Sequence, residues 1–343
     1  MKHKALWMLV PVALFIVLVG LFLSHSAVAG PLPDEQDAPA AASGASWSSG
    51  WVALTPGAGL TLTHNLGGDP DTYAVELWFL DTDGGLGLNR RNYGGLDVGG
   101  NLHGVHWQNL TANTIRLYRQ PGDGAADQVL VRLWVPDPLP DYDSGWQEIA
   151  AGETLTLSHN LDITATELSV GLWFSGTKRG IHHFAYGGLS LDNSQKRLGA
   201  YWHDLTDNSV QVTRLADDTD VEQVRVAVAH SEPPDYDSLE AESGWTPIGQ
   251  GSQYVFTHNL NWNPGLLLVR AECYNPTDGG IHQRWAGGDH DWTTGWQGAV
   301  LQNLTADSVT MVRLANDQVC PQARVRIWRR GYQIFLPLVV RND

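Results

Sequence analysis

One pattern of residues occurs three times along this 343-residue chain, and that repetition limits the fold more than any other feature. Ser-Gly-Trp places tryptophans at Trp51, Trp146 and Trp245. Thr/Ser-His-Asn-Leu follows with His64, His159 and His258, and Asn/Asp-Leu-Thr begins at Asn109, Asp204 and Asn303. A strand-end arginine falls at Arg119, Arg214 and Arg313, and a loop aspartate at Asp123, Asp218 and Asp317. Each marker is displaced by 95 residues from the first set to the second and by 99 from the second to the third. The net four extra residues therefore belong to the second linker, around Ser238 to Glu242. Both linkers carry the string Pro-Asp-Tyr-Asp-Ser, at Pro140 to Ser144 and at Pro234 to Ser238. The chain reads as three tandem domains: repeat 1 at 49–135, repeat 2 at 144–229 and repeat 3 at 243–329. Each is of ordinary single-domain size.

Inside each repeat the hydrophobic period is two. Val75, Leu77 and Phe79 alternate with Glu76 and Trp78, and Val170, Leu172 and Phe174 alternate with Gly171 and Trp173. Half-buried antiparallel strands have this signature. Gly-Gly, Asp-Gly and Asn/Asp-Leu-Thr turns separate them. The 37 glycines, 17 prolines and 15 tryptophans fit the same turn-rich β structure with large aromatic packing units. The expected fold is all-β: three tandem six-stranded antiparallel β-sandwiches without helical stretches.

The formal net charge is −16, with only 17% of residues charged. A field of that sign repels phosphate backbones and anionic membranes, which excludes nucleic-acid binding as a main function. Met1 to Lys4 is a short basic start, Ala5 to Leu23 an apolar run, and Ala27-Val28-Ala29 a small-x-small cleavage pattern. Residues 1–29 thus read as an export signal. The apolar run is close to bilayer length, so an uncleaved N-terminal anchor is the alternative, and the only membrane contact expected. Residues 30–48 form a Pro/Ala/Ser/Gly-rich flexible spacer, and residues 330–343 a C-terminal tail. The protein is expected outside the cytoplasm, secreted or at the cell surface. Its two cysteines, Cys273 and Cys320, both fall in repeat 3, and one disulfide is expected there.

Taken in order, several features carry a family resemblance: Ser-Gly-Trp, a long apolar strand, Asn-Leu-Thr, an alternating strand, a loop with aspartate, and a closing strand such as Arg324-Val325-Arg326-Ile327-Trp328. Each repeat resembles, end to end, the H-type lectin family, the invertebrate agglutinin domain also found at the C-terminus of discoidins. The resemblance implies a six-stranded antiparallel sandwich that assembles as a trimer. It also implies N-acetylgalactosamine- or galactose-type glycans bound in clefts between subunits. The family grips its sugar with a Trp-His pair in the loop before the last strand. Here those loops read Gln120-Pro121-Gly122-Asp123, Leu215-Ala216-Asp217-Asp218 and Leu314-Ala315-Asn316-Asp317, without an aromatic. With three copies in series, the resemblance implies that one chain folds into its own pseudo-trimer.

The candidate ligand-binding pairs are Arg119 with Asp123, Arg214 with Asp218, and Arg313 with Asp317, each four residues apart across a turn. The same pairing can form a structural Arg–Asp clip, since an inward-facing arginine needs a partner. Trp107 and Trp202 share a face with Val105 and Ala200, and Leu301 stands at the third equivalent position, so they read as core. Their neighbours on the other face read as outward: His106 and Gln108, Tyr201 and His203, Val300 and Gln302. Of these, Tyr201 and His203 join the candidate ligand set. Trp78 and Trp173 also read as outward, toward a ligand or a contact between domains, with Glu272 at the third position. His64, His159 and His258 either meet on a threefold axis and bind a metal, or each bonds its own turn backbone. Asn109 and Asn303 lie in glycosylation triplets, but Asp204 in their place favours a turn-capping role. Repeat 3 offers the richest surface, with His282, Arg284, Trp285, His290, Trp292 and Trp296.

No Gly-x-Ser-x-Gly, His-Glu-x-x-His, P-loop or dinucleotide fingerprint is present, and nothing places two carboxylates across a bond. The expected function is multivalent glycan recognition or adhesion, non-enzymatic and without metal or cofactor. The alternative is a structural or adhesive β-sandwich array that binds protein partners without sugar recognition. The two differ in whether the Asp123-type loops face a cleft lined by aromatics of a neighbouring repeat.

Overall fold

Strand pairing in each repeat follows from the two-residue period. In repeat 1, one antiparallel sheet has the order Trp47–Ala53, Gln128–Trp134, Ala74–Asp81, Gly87–Asn89. A second has the order Gly59–Thr63, Thr114–Arg119, Val105–Gln108. Repeat 2 shows the same orders through Gln223–His230, Leu168–Gly176 and Gly180–His182, and through Thr154–Ser158, Ser209–Arg214 and Ala200–His203. Repeat 3 does so through Gln322–Arg329, Leu267–Asn275 and Gly280–His282, and through Gln253–Thr257, Ser308–Arg313 and Ala299–Gln302. The fold is thus all-β and built of several antiparallel sheets. The computed structural model describes residues 45–98, 100–135, 139–189, 196–277, 279–291 and 294–329. The leader at 1–29, the spacer up to residue 44 and the tail at 330–343 lie outside the described residues. No described helix is long and apolar enough to cross a membrane.

Alternation places Leu77 and Phe79 against Ile115, Leu117 and Trp107, all essentially buried. This packing is consistent with a β-sandwich, in which the inner faces of two sheets interdigitate. The clusters do not stop at the repeat boundaries. Trp173 and Ile181 of repeat 2 pack on the repeat 1 cluster, and Tyr274 and Ile281 of repeat 3 on that of repeat 2. Trp78 and Leu130 of repeat 1 belong to the cluster of repeat 3.

The string Pro-Asp-Tyr-Asp-Ser, read from sequence as linker, is part of the first strand. Tyr142 and Asp143 pair with Val228 and Ala227, and Tyr236 and Asp237 with Ile327 and Arg326. Its side chains explain the echo. Asp141 and Asp235 accept the backbone N–H of His230 and Arg329. Asp143 and Asp237 pair with Arg225 and Arg324. Ser144 and Ser238 accept the N–H of Val226 and Val325, as Ser49 accepts that of Val131. The extra residues of repeat 3 accordingly sit inside a strand interruption, as the one-turn helix Ser238–Ala241, and not in a linker. That helix departs from the expectation of a helix-free chain. So do the 3-10 turns Pro70–Thr72, Ala165–Glu167 and Pro264–Leu266.

Backbone bonds between repeats recur at equivalent positions. Asn109 donates to the Arg179 carbonyl (2.8 Å), Asp204 to that of Gly279 (2.8 Å) and Asn303 to that of Leu86 (2.9 Å). All three donors have positive φ, near 50°, a conformation that Asn and Asp tolerate best among residues with a side chain. Farther along, Ala185 donates to Gly94, Trp285 to Gly187 and Asn92 to Gly287. Cys273 and Cys320 are joined in a disulfide across repeat 3, tying its longest strand to the segment before the last.

Three histidines, His106, His182 and His183, are buried where repeats 1 and 2 meet, and His183 accepts the Trp107 N–H. The His106 ring packs against Phe184 at 4.8 Å and lies beside the Arg179 guanidinium. His182 accepts the Phe184 N–H at Nδ1 (3.1 Å) and lies 3.3 Å from the Asp220 carbonyl at Nε2, which fits a neutral ring protonated on Nε2. Burial, then the charge of Arg179, pushes His106 down to about 3, and burial pushes His182 down to about 4. Both therefore stay neutral at pH 5 in the folded chain, whereas unfolded histidines take up protons below about 6.5. At pH 7.5 neither state binds these protons, so the penalty is absent there. It grows as pH falls, to about 2 kcal/mol per histidine at pH 5. Denaturant titrations at pH 7.5 and pH 5 should show this loss, and His106→Gln should reduce it. Equal stability at the two pH values would contradict the assignment.

Candidate functional site

The three Arg–Asp pairs form the same closed arrangement. Arg119 donates from Nε to Asp123 Oδ2 (2.8 Å), from Nη2 to the Asp123 carbonyl and from Nη1 to the Leu54 carbonyl. Arg214 with Asp218 and Ile149, and Arg313 with Asp317 and Ile248, repeat this bond for bond. The other carboxylate oxygen accepts the N–H of Gly104, Gly199 or Gly298. Those glycines have φ of +82° to +88°, and a Cβ would lie 1.8–2.4 Å from a carbonyl oxygen, so only glycine fits. Asp123, Asp218 and Asp317 are buried, and their acceptor capacity is filled by the protein itself. These six candidate residues are placed as clips that shape the loops, with no oxygen facing outward.

The faces read as outward from sequence are covered by a neighbouring repeat. His106, Gln108 and Val300 are buried. Gln108 accepts from Arg179 across the boundary (2.7 Å). Tyr201 lies under the Arg284 guanidinium at 4.7 Å, and His203 bonds Asp204 and Thr213. Trp173 donates to the Tyr73 carbonyl of repeat 1 (3.1 Å), and Trp78 is 3% exposed and donates to Glu76. Glu272, which takes the third equivalent position, pairs with Arg326 and Arg324. Trp107 and Trp202 are core. His64, His159 and His258 each pack on a ring of their own repeat, Trp47, Tyr142 and Tyr236. Burial lowers the pKa of all three.

An open site does lie between repeats 1 and 3. A cleft of about 290 Å³ is bordered by Gly122 and Gly124, on either side of the clip aspartate Asp123, and by Arg91, Asn92 and His103 of repeat 1. Across it stands Trp296 of repeat 3, half-buried, with His290 edge-on to its ring at 4.8 Å. The Arg91 guanidinium has neither an ion pair nor a hydrogen bond among the described residues. An aromatic wall, a free fork of N–H donors and a short glycine-flanked loop make a cleft that can stack an apolar face and donate to hydroxyls. Asp81 also borders it, but holds the N–H groups of Gly84 and Leu86. Among the described residues, Asp81, Asp83 and Asp127 are the group with ligand atoms close enough to share a cation, within 4.8 Å of one another. Asp81 and Asp127 are already occupied by backbone and Thr82 donors, which makes the group turn scaffolding.

Trp296 belongs to the surface flagged in the sequence of repeat 3, whereas Arg91 and Asn92 were missed. Their only sequence signal is adjacency to Tyr93-Gly94-Gly95. Trp292 lies outside the described residues. Counting back from the clip glycines, Leu102 and Arg197 stand where repeat 3 has Trp296. Compared with protein-family models, with curated proteins and with solved structures, the chain matches none.

Removing one partner of a buried ion pair leaves the other charge unpaired. Asp317→Ala should therefore cost about 3–5 kcal/mol of stability. Urea unfolding of the variant measures it, and a change below about 0.5 kcal/mol, the usual range for surface substitutions, would show that the clip is not structural.

Proposed function

We propose that this chain is an exported, non-enzymatic carbohydrate-binding protein in which each repeat is a six-stranded sandwich and the three close into an intrachain pseudo-trimer. A sugar occupies the cleft between repeats 1 and 3. The observation that carries the reading is the glycine-flanked Asp123 loop facing Trp296 of another repeat, beside the unpartnered Arg91. A pyranose has an apolar C–H face that stacks on an indole and hydroxyls that accept from a guanidinium, so both halves of the cleft have a task. The cyclic order of the cross-repeat bonds, 1 to 2, 2 to 3 and 3 to 1, supports ring closure. The basic-apolar leader supports export, and the disulfide agrees with an oxidising compartment. The sugar class, galactose or N-acetylgalactosamine, rests on the family resemblance.

A glycan-array screen of residues 30–343, with and without calcium, should give hits that Trp296→Ala and Arg91→Ala each weaken at least tenfold. Both variants should keep the melting temperature of the parent. Absence of any glycan hit, together with capture of protein ligands, would favour the adhesive array instead.

Ring closure has its own test. Small-angle scattering from dilute protein should report a compact, roughly isometric particle at every concentration, because covalent linkage makes the assembly intramolecular. An elongated particle about three domains long would rule it out.

A further inference from the structure

A larger space, about 840 Å³, is lined by residues of all three repeats. It exists because repeat 2 is small where the others are large. Gly171, Ala227 and Ala229 line it, at positions where repeat 1 has Glu76, Arg132 and Trp134 and repeat 3 has Arg270, Arg326 and Trp328. Into this space faces Arg270. Its guanidinium has no carboxylate within 4 Å and no hydrogen-bond acceptor among the described residues. Protein surrounds it, and the surface it keeps lines the cavity. The nearby acids are engaged elsewhere: Glu76 holds both Arg90 and Arg132, and Glu272 holds Arg326 and Arg324. The two glutamates nearest Arg270 are thus each shared by two other arginines, which leaves its own charge without a paired carboxylate among the described residues. An enclosed, unpaired guanidinium is costly unless an anion meets it. Burial lowers the pKa of Arg270 to about 10, still far above neutrality, so the charge stays.

We propose that this cavity binds an organic anion, a carboxylate on an apolar body, with the planar fork of Arg270 gripping the carboxylate. The fork matches two carboxylate oxygens at once, and the remaining walls, among them Trp173, Trp134, Leu268 and Ala229, suit an apolar body. The volume lies within the range of small-molecule sites. Exposed Val135 and Leu139 border the space, which gives a ligand a way in. The site is separate from the Trp296 cleft and does not depend on the sugar reading.

The probes are decanoate and 1-decanol, equal in chain length and different in charge, read by tryptophan fluorescence and calorimetry on residues 30–343. Decanoate should bind at least tenfold tighter than decanol. Arg270→Met should abolish that preference while decanol binding persists, Ala227→Leu should weaken both ligands, and Trp296→Ala should change neither. Equal affinity for the two probes, no binding of either, or a preference that survives in Arg270→Met would overturn the proposal. If Arg270→Met does not fold, the preference in the unaltered chain and the weakening of both ligands in Ala227→Leu decide the matter.

Discussion

The Arg–Asp clip is the interaction on which each repeat depends. One guanidinium and one carboxylate, both removed from water, tie together three pieces of chain that are remote in sequence. These are the carbonyl at the end of the first strand, the glycine N–H that ends the long loop, and the turn into the last strand. Every polar atom of the pair finds a partner, which is the condition under which a buried ion pair is tolerated. The geometry also fixes a residue type elsewhere. Gly104, Gly199 and Gly298 approach the preceding loop so closely that any side chain would collide with a carbonyl. The clip therefore sets the path of the loop that borders the Trp296 cleft, although its carboxylate is buried and bonded within the protein.

Backbone bonds between repeats fall at matching positions, yet the side chains beside them do not match. Glu76, Gly171 and Arg270 occupy equivalent places, as do Arg132, Ala227 and Arg326. Identical residues at these three positions would bring the same charge three times to the one cavity that Glu76, Gly171 and Arg270 line, and like charges in a low-dielectric interior repel strongly. A single chain escapes that constraint, because each repeat can carry a different residue. Here it yields one acid that binds two arginines, one small residue that leaves space, and one arginine without a partner.

Much of the frame was legible in the sequence because it is local. The period of two gave the strands, and the recurrent four-residue Arg–Asp spacing pointed to the clip, since both partners lie within one turn of each other. Trp107 and Trp202 read as core because leucine takes the third place. What failed was the meaning of outward. His106, Gln108 and Val300 alternate like solvent-facing residues, but a neighbouring repeat covers that face, and only tertiary arrangement determines this. The first strand was misread as linker because its two pairing segments are interrupted, so no run long enough to show a period exists. Arg91 and Trp296 are separated by about two repeats of sequence, beyond any local signal.

The same freedom distinguishes the cleft between repeats 1 and 3 from the two equivalent meetings of repeats. Each meeting of repeats places the second residue after the Asn89-type strand end near the residue two before the clip glycine of the neighbour. Between repeats 2 and 1 these are Phe184 and Leu102, which pack in one apolar cluster and leave no room for a polar ligand. Between repeats 3 and 2 they are Arg284 and Arg197, each 4.6 Å from the ring of Trp285, so the aromatic face is already covered by cations. Between repeats 1 and 3 an arginine and a tryptophan line one cleft, with His290 edge-on to the indole and no partner for the guanidinium among the described residues. Stacking and hydrogen bonding both stay available there, and a ligand that offers one apolar face and several hydroxyls is the chemistry that uses both.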